Sequence, residues 1–173
     1  MHDDERARRR ALTGLALSIA LSVAVYWVWP ALPFQDLPGH AGLIALRHRI
    51  AASPFDQTYF VHVPRVGPYS VFRALGEFFF RVGGAGFAVR MLGSLPALLL
   101  PLSMLLAHKW LFGRVSAAHG YVGVLLSYGF MTISGFASFD LALAVATLVI
   151  SLHLALISEG APNFARRHAY ALL

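Results

Sequence analysis

Asp36 and His40 are the first pair of side chains in this chain whose types and spacing could do chemistry. Asp36 is the first acidic residue after a stretch of thirty residues, 6–35, that contains none. It precedes His40 by one helical turn, a spacing at which both side chains could reach one metal ion or one phosphate group. Plainer interpretations stay open, because Asp36 could cap a helix that begins at Leu37 and His40 could be a solvated or helix-packed histidine.

Arginines near this pair could bind a phosphate. At about 100° per residue, Arg47 falls on the same side of a helix as Asp36 and His40. Arg49 and Arg65 follow in the same part of the chain. The guanidinium group can bind a phosphate through two parallel N–H bonds. The alternative is contact with lipid headgroups, which we favour for Arg49.

Asp140 is the second acidic residue of interest, because it stands at the start of an apolar run that continues to Ile157. A carboxylate in that position could belong to a functional site or could simply serve as the helix N-cap. His119 and His153 lie within apolar runs, where a histidine either marks a proton path or is a hydrogen-bonded interior residue.

The composition determines what kind of protein must position these residues. The 173 residues are 58% hydrophobic and 13% charged, with a mean hydropathy of +0.65, whereas soluble domains carry about 25% charged residues. We therefore predict an all-α, polytopic helical membrane protein whose first partner is the lipid bilayer. The absence of cysteine excludes disulfides and cysteine nucleophiles. The net charge of +6 lies around the apolar runs, which orients a membrane protein and does not indicate a nucleic-acid partner.

Four apolar runs are predicted to be transmembrane helices. The first has 19 residues without a charge, which at about 1.5 Å per residue approaches the ~30 Å of a hydrocarbon core. The last two come from 43 largely apolar residues, 115–157, that must turn near residues 134–138. Pro96 and Pro101 are expected to kink the second helix. The predicted spans are 11–29, 89–107, 115–134 and 139–157.

An outer loop is predicted between the first two spans, over residues 30–88. It contains two juxtamembrane amphipathic helices, at 37–52 and 68–82. Between these helices, residues 55–65 are expected to be extended or irregular. The glycines at positions 83, 84 and 86 are expected to form a hinge before the second span.

Arg73, Glu77 and Arg81 recur every four positions and indicate a helix that lies flat in the membrane surface, with this charged stripe in solvent. If this segment crossed the membrane, the basic residues after the second span would move outside, against the positive-inside tendency. Residues 1–10, with four arginines, are accordingly placed in the cytoplasm, and residues 158–173 form a cytoplasmic tail or begin a further helix. A cleaved signal peptide is the alternative interpretation of the first span, although aromatic residues stand where such a peptide has small ones.

Four stretches of the chain carry a recognisable layout: 34–40 (FQDLPGH), 68–72 (PYSVF), 87–95 (FAVRMLGSL) and 134–142 (SGFASFDLA). Together they resemble the N-terminal module of the GT-C superfamily. These polytopic glycosyltransferases include the dolichol-phosphate-mannose-dependent protein mannosyltransferases and the bacterial aminoarabinose transferases. Family members have more spans and usually carry an acidic pair in the first outer loop, where this chain has Asp36 followed by Leu37.

The resemblance implies that Asp36 acts as general base towards an acceptor hydroxyl or orients the acceptor, and that Asp140 faces it across a cavity. Asp36 and His40 could also hold a divalent cation near the donor phosphate. The implied donor is a polyprenyl-phosphate-linked sugar, for which His40, Arg47 and Arg65 are the candidate binding residues.

The expected function is therefore sugar transfer at the outer face of a membrane, with the bacterial inner membrane as the expected location. The chain would be a whole enzyme or its N-terminal portion, with further transmembrane helices or a second subunit as partners. The alternative is a non-catalytic polytopic protein, such as a transporter fragment or an assembly subunit. A transporter would place its essential charge near mid-membrane, where this chain offers His119 and His153.

Overall fold

The computed structural model describes residues 2–28, 37–61, 67, 69–129 and 136–157, and every element in them is helical. The elements are α1 (His2–Val28), α2 (Leu37–Arg49), a 3-10 turn (Ile50–Ala52), α3 (Pro54–Tyr59), α4 (Ser70–Phe112), α5 (Ala117–Leu126) and α6 (Ala137–Ile157).

Three of these helices are long and apolar enough to cross a membrane. The membrane-spanning candidates within the described ranges are Asp4–Val28, Ser70–Phe112 and Ala137–Ile157. The predicted class, an all-α helical membrane protein, is thereby confirmed. The predicted span at 115–134 corresponds to α5, whose ten residues measure about 15 Å, half of a hydrocarbon core. Residues 130–135, where that span was expected to end, lie outside the described part of the chain.

Helix α1 begins earlier than the predicted span, at His2, so the polar head belongs to the same helix. Asp4 and Glu5 lie near its start, where negative side chains favour a helix through its dipole. The arginines that follow are good helix formers. Residues 2–10 therefore form a charged first third of α1, ahead of its apolar part.

Helix α4 contains a sharp break at Gly83 and Gly84. Gly84 has φ 78° and ψ −175°, a conformation that side chains disfavour and glycine tolerates. The predicted hinge is therefore present. The helix continues through Pro96 and Pro101, and the kink expected at these prolines stays a prediction. We call residues 70–82 the first arm of α4 and residues 85–112 the second arm.

The first arm folds back along the start of the second. The rings of Phe79 and Phe87 lie 6.3 Å apart between centroids. A Cβ added at Gly76 would lie 2.7 Å from Ile44 Cδ1 and 3.2 Å from Leu92 Cδ1. Sixteen residues separate Gly76 from Leu92, which would be about 24 Å along a straight helix. The two arms and α2 therefore pack against one another, and the flat orientation of the first arm in a membrane stays a prediction.

The segment expected to be extended after residue 54 instead begins with a helix, α3, and this part of the prediction is wrong. Ser53 Oγ accepts a hydrogen bond from the Asp56 N–H at 3.2 Å, and Pro54 occupies the first helical position. Both are recognised helix-start signals. The chain returns to an extended conformation at Phe60, with φ −133° and ψ 138°.

One hydrophobic cluster joins the end of α1, α2, both arms of α4 and the start of α6. Tyr26 packs directly on the backbone of α4, because a Cβ at Gly93 would lie 2.5 Å from the Tyr26 ring. The neighbouring Trp27 donates a hydrogen bond from Nε1 to Ser94 Oγ at 3.0 Å. The start of α2 and the start of α6 therefore lie at the same end of the helices. The buried members of the cluster are Tyr26, Leu37, Ile44, Phe72, Ala88, Val89, Leu92, Ala97, Ala137 and Leu141.

Candidate functional site

A cavity of about 500 Å³ opens beside this cluster, between α2, the first arm of α4 and the start of α6. We call it the first cavity. Its wall combines apolar side chains with basic and polar ones, so it is amphiphilic. The apolar lining residues are Leu43, Ile44, Phe72, Leu92 and Phe136, and the polar ones are His40, Arg47, Tyr69, Arg73 and Ser138.

His40 and Arg47, two of the predicted binding residues, both line this cavity. They are seven residues apart on α2, two helical turns, and so share one face of the helix. The ring of His40 meets the edge of Phe72 with a centroid distance of 5.1 Å and an interplanar angle of 64°. This contact is typical of aromatic pairs and fixes the imidazole against the first arm of α4.

Arg73 lines the same cavity from the opposite wall, which the sequence analysis did not foresee. The prediction placed Arg73 with Glu77 and Arg81 in a solvated stripe. Arg73 is exposed, as that stripe predicts, and together with Arg47 it also brings two guanidinium groups to one partly apolar space. Two such groups attract an anion, and their planar forks match a phosphate.

The Glu77 side chain is 27% exposed, and it joins the first arm of α4 to α2. Its Oε1 lies 2.7 Å from His48 Nε2 and 3.8 Å from Arg81 Nη2. The His48 ring stacks on Phe80 with centroids 3.9 Å apart and an interplanar angle of 14°. This polar and aromatic contact holds together the two helices that form the walls of the first cavity.

Asp140 lies one turn inside α6 and not at its N-cap, because the helix begins at Ala137. The N-cap interpretation is therefore wrong. The residue is 2% exposed and stands between core residues, so a polar environment must compensate its burial. It is within electrostatic reach of the Tyr26 phenol. Ser138, two residues earlier, lines the first cavity, whereas Asp140 is not among its lining residues.

Arg49, the other arginine of α2, is engaged outside the first cavity. It donates two hydrogen bonds to Asp56, from Nε to Oδ2 at 2.6 Å and from Nη2 to Oδ1 at 3.1 Å. The hydrogen bond from Arg49 lowers the pKa of Asp56, although burial of the carboxylate opposes this effect. This pair ties the end of α2 to α3.

Asp36 and Arg65, the remaining predicted site residues, lie outside the described part of the chain. The expected metal or phosphate site shared by Asp36 and His40 therefore stays a prediction. Within the described ranges, no group of three or more histidine, cysteine, aspartate or glutamate residues could hold a metal ion.

Comparison with known proteins finds no matching family model, no matching curated protein and no matching solved structure. The fold and the site by themselves define a helical membrane protein with an amphiphilic cavity at one end, whose basic groups stand over an apolar wall.

Proposed function

We propose that the first cavity binds an anionic, lipid-linked substrate, and that the protein is a GT-C-like membrane glycosyltransferase or the N-terminal portion of one. The observation that carries the proposal is the convergence of Arg47, Arg73 and His40 on a cavity whose other wall is apolar. A polyprenyl-phosphate-linked sugar has matching parts. Its phosphate suits the guanidinium groups, and its isoprenoid chain suits side chains such as Phe72.

The reaction would be sugar transfer from this donor to a hydroxyl group. The acceptor oxygen forms a bond to the anomeric carbon, the bond from that carbon to the phosphate oxygen breaks, and polyprenyl phosphate leaves. A carboxylate takes the acceptor proton, the role that the resemblance implies for Asp36. Asp140 is buried and does not line the cavity, so it would act as a positioning residue. A divalent cation near the donor phosphate would need Asp36 and His40.

The proposed orientation places the N-terminus in the cytoplasm and the first cavity at the outer face, with a bacterial inner membrane as the proposed location. Its support is the concentration of arginines at positions 6, 8, 9 and 10, next to the apolar part of α1. Several large apolar side chains of α6 are exposed, among them Val145, Val149 and Ile150. They would contact lipid, further transmembrane helices or a second subunit.

A non-catalytic polytopic protein, such as an assembly subunit or a transporter fragment, is the second candidate. The observation that favours it is the position of Asp140, which does not line the first cavity although its neighbour Ser138 does. Such a protein would hold the lipid phosphate without transferring its sugar.

Binding is tested with the purified protein in detergent, by titrating a fluorescent polyprenyl phosphate and, in parallel, the uncharged polyprenol. Arg47→Gln and Arg73→Gln should each weaken binding of the phosphate by about tenfold, because each removes a charge-assisted contact. Arg81→Gln is the matched control, since it removes the same charge from the first arm of α4 at a side chain that is 74% exposed and lies outside the cavity. Equal affinity for polyprenol and polyprenyl phosphate, or an equal loss in the control, would contradict the binding site.

Catalysis is tested separately with Asp140→Asn, which preserves the size of the side chain. If the protein is a transferase, this variant should still bind polyprenyl phosphate and should transfer the radiolabelled sugar at least tenfold more slowly, by analogy with other positioned polar groups. Thr147→Ser serves as the control for a change elsewhere on α6, because Thr147 does not line the first cavity and its hydroxyl donates only to the Leu143 carbonyl of the same helix. If the parent protein binds the donor and transfers nothing in the presence of Mg²⁺ or Mn²⁺, the non-catalytic candidate replaces the enzyme.

A further inference from the structure

A second cavity of about 500 Å³ lies at the other end of the same helices, between the start of α1, the end of α4 and the start of α5. Four basic or imidazole side chains line it: Arg8, His108, Arg114 and His119. The rest of the wall is small or aliphatic, including Ala11 and Ala117.

The second cavity is far from the first. On α1, eighteen residues separate Arg8 from Tyr26 of the hydrophobic cluster, which is about 27 Å of helix. On the second arm of α4, sixteen residues separate Leu92 from His108, about 24 Å. These lengths approach the thickness of a hydrocarbon core, so the two cavities lie at opposite membrane boundaries if α1 and α4 span the bilayer.

A tight corner between α4 and α5 builds the second cavity. Gly113 ends α4 with φ 71° and donates its N–H to the Lys109 carbonyl at 2.9 Å, so the chain turns at once into Arg114. His108, only 7% exposed, hydrogen-bonds from Nδ1 to the Arg114 carbonyl oxygen at 2.6 Å. Since a carbonyl can only accept, Nδ1 carries the proton, and Nε2 is the ring nitrogen left for a ligand.

The two histidines lie side by side across this corner. The ring centroids of His108 and His119 are 4.1 Å apart, and Phe112 packs on His108 at 4.8 Å. His119 belongs to the first turn of α5, and the N-terminal end of that helix borders the cavity at Ser116 and Ala117. The partial positive charge of the helix end adds to the charge of the arginines.

The charges around the second cavity favour an anion over a cation. Neither Arg8 nor Arg114 forms an ion pair with a carboxylate among the described residues. Asp4 and Glu5 lie one turn before Arg8 on α1, are exposed, and do not line the cavity. Two neighbouring histidines alone could attract a transition metal, but two guanidinium groups in the same space oppose the approach of a cation.

We propose that the second cavity is a phosphate-binding site. Arg8 and Arg114 donate to the phosphate oxygens from opposite walls, and His108 and His119 supply further N–H donors when protonated. The phosphate could be that of an anionic lipid headgroup in the adjacent leaflet or a free phosphate or pyrophosphate from the aqueous side. The proposal is independent of the function of the first cavity, because it rests on different residues of α1, α4 and α5.

Binding is measured on the full chain in nanodiscs. One arm titrates inorganic phosphate and pyrophosphate into phosphatidylcholine nanodiscs by calorimetry. The other arm compares retention of phosphatidylglycerol with that of phosphatidylcholine by native mass spectrometry. In whichever arm the parent protein binds, Arg8→Gln and Arg114→Gln should each lower the affinity by about tenfold. Both side chains are exposed, so the fold should be unaffected.

Arg10→Gln is the matched control, because it removes the same charge two residues further along α1 and does not line the cavity. Its affinity should stay within twofold of the parent protein. Saturable binding in the soluble arm identifies a free phosphate as the ligand, and selective retention of phosphatidylglycerol identifies the lipid headgroup. If Arg8→Gln and Arg10→Gln lowered the affinity equally, the effect would come from general surface charge and the proposal would be overturned. Absence of binding in both arms would overturn it as well.

Discussion

The two cavities occupy opposite ends of the same long helices and differ in what surrounds their basic groups. In the first cavity, Arg47 and Arg73 face aromatic and aliphatic side chains, with Leu92 of the second arm among them. In the second cavity, Arg8 and Arg114 face imidazole rings and small residues at a helix start. A ligand of the first cavity must therefore be partly apolar, whereas the second suits a headgroup or a free ion. The side chains around a basic residue near a membrane therefore determine which kind of anion it can bind.

The largest effect is expected for Gly123→Ala, which should disturb the second cavity. A Cβ at this position would lie 2.5 Å from Cα and 2.7 Å from N of Pro101, and backbone atoms cannot move aside as a side chain can. We expect a loss of stability of about 3 kcal/mol as α5 is pushed away from α4. Thermal denaturation in detergent measures this loss, and phosphate binding should fall while polyprenyl phosphate binding persists.

Gly86→Ala is the control for that comparison, because a Cβ there meets nothing within 4 Å. Its melting temperature should equal or slightly exceed that of the parent protein. If Gly123→Ala were as stable as Gly86→Ala, the close approach of α5 to Pro101 would be disproved.

A smaller loss of stability is expected for Gly93→Ala, and this variant should disturb the first cavity and not the second. The added Cβ would lie 2.5 Å from the ring of Tyr26, which is a side chain and can shift. The expected loss of stability is about 2 kcal/mol, with weaker binding in the first cavity because the neighbouring Leu92 lines it. Calorimetry with inorganic phosphate and with polyprenyl phosphate should show that binding of polyprenyl phosphate falls while binding of phosphate persists. Loss of binding at both ends would mean that the cavities are not independent.

The smallest effect is expected for Asp56→Asn, which should change neither cavity. The pKa of Asp56 is lowered by its hydrogen bond from Arg49, so ionised Asp56 stabilises the folded protein. This contribution is present above the unfolded-state pKa of about 4 and disappears as the pH falls through the lowered pKa. The parent protein should therefore melt slightly above Asp56→Asn at pH 7, and the difference should shrink as the pH falls below the unfolded-state pKa and through the lowered one. A difference that does not shrink as the solution is acidified would contradict the role of the ion pair.

The class of the protein could be predicted because composition and the length of apolar runs are properties of the sequence alone. The break at Gly83 and Gly84 could be predicted too, because adjacent glycines weaken a helix whatever surrounds them. The short helix α3 could have been recognised from Ser53 and Pro54, which are local start signals. By contrast, the position of Asp140 inside α6 depends on where the preceding turn ends, and boundaries are the least certain part of such predictions.

The candidate sites were harder to predict because tertiary packing assembles them. His40 and Arg47 share a face of one helix, and their spacing was enough to group them. Arg73 joins them only because the first arm of α4 folds back, which the charged stripe does not reveal. Arg8, His108 and His119 come from three different helices, so no spacing in the sequence connects them. The signal that could have been used was the pair of histidines, His108 and His119, on either side of Gly113 between two predicted spans.

The reversal of α4 at Gly84 sets the shape of the first cavity. Phe72 and Leu92 both line the first cavity and belong to a single helix that doubles back between them. The width of the cavity is therefore governed by backbone torsion angles at a position remote from any atom that a ligand would touch. A bulkier residue at position 84 would have to abandon those angles, and the cavity would change its dimensions while every lining side chain kept its identity.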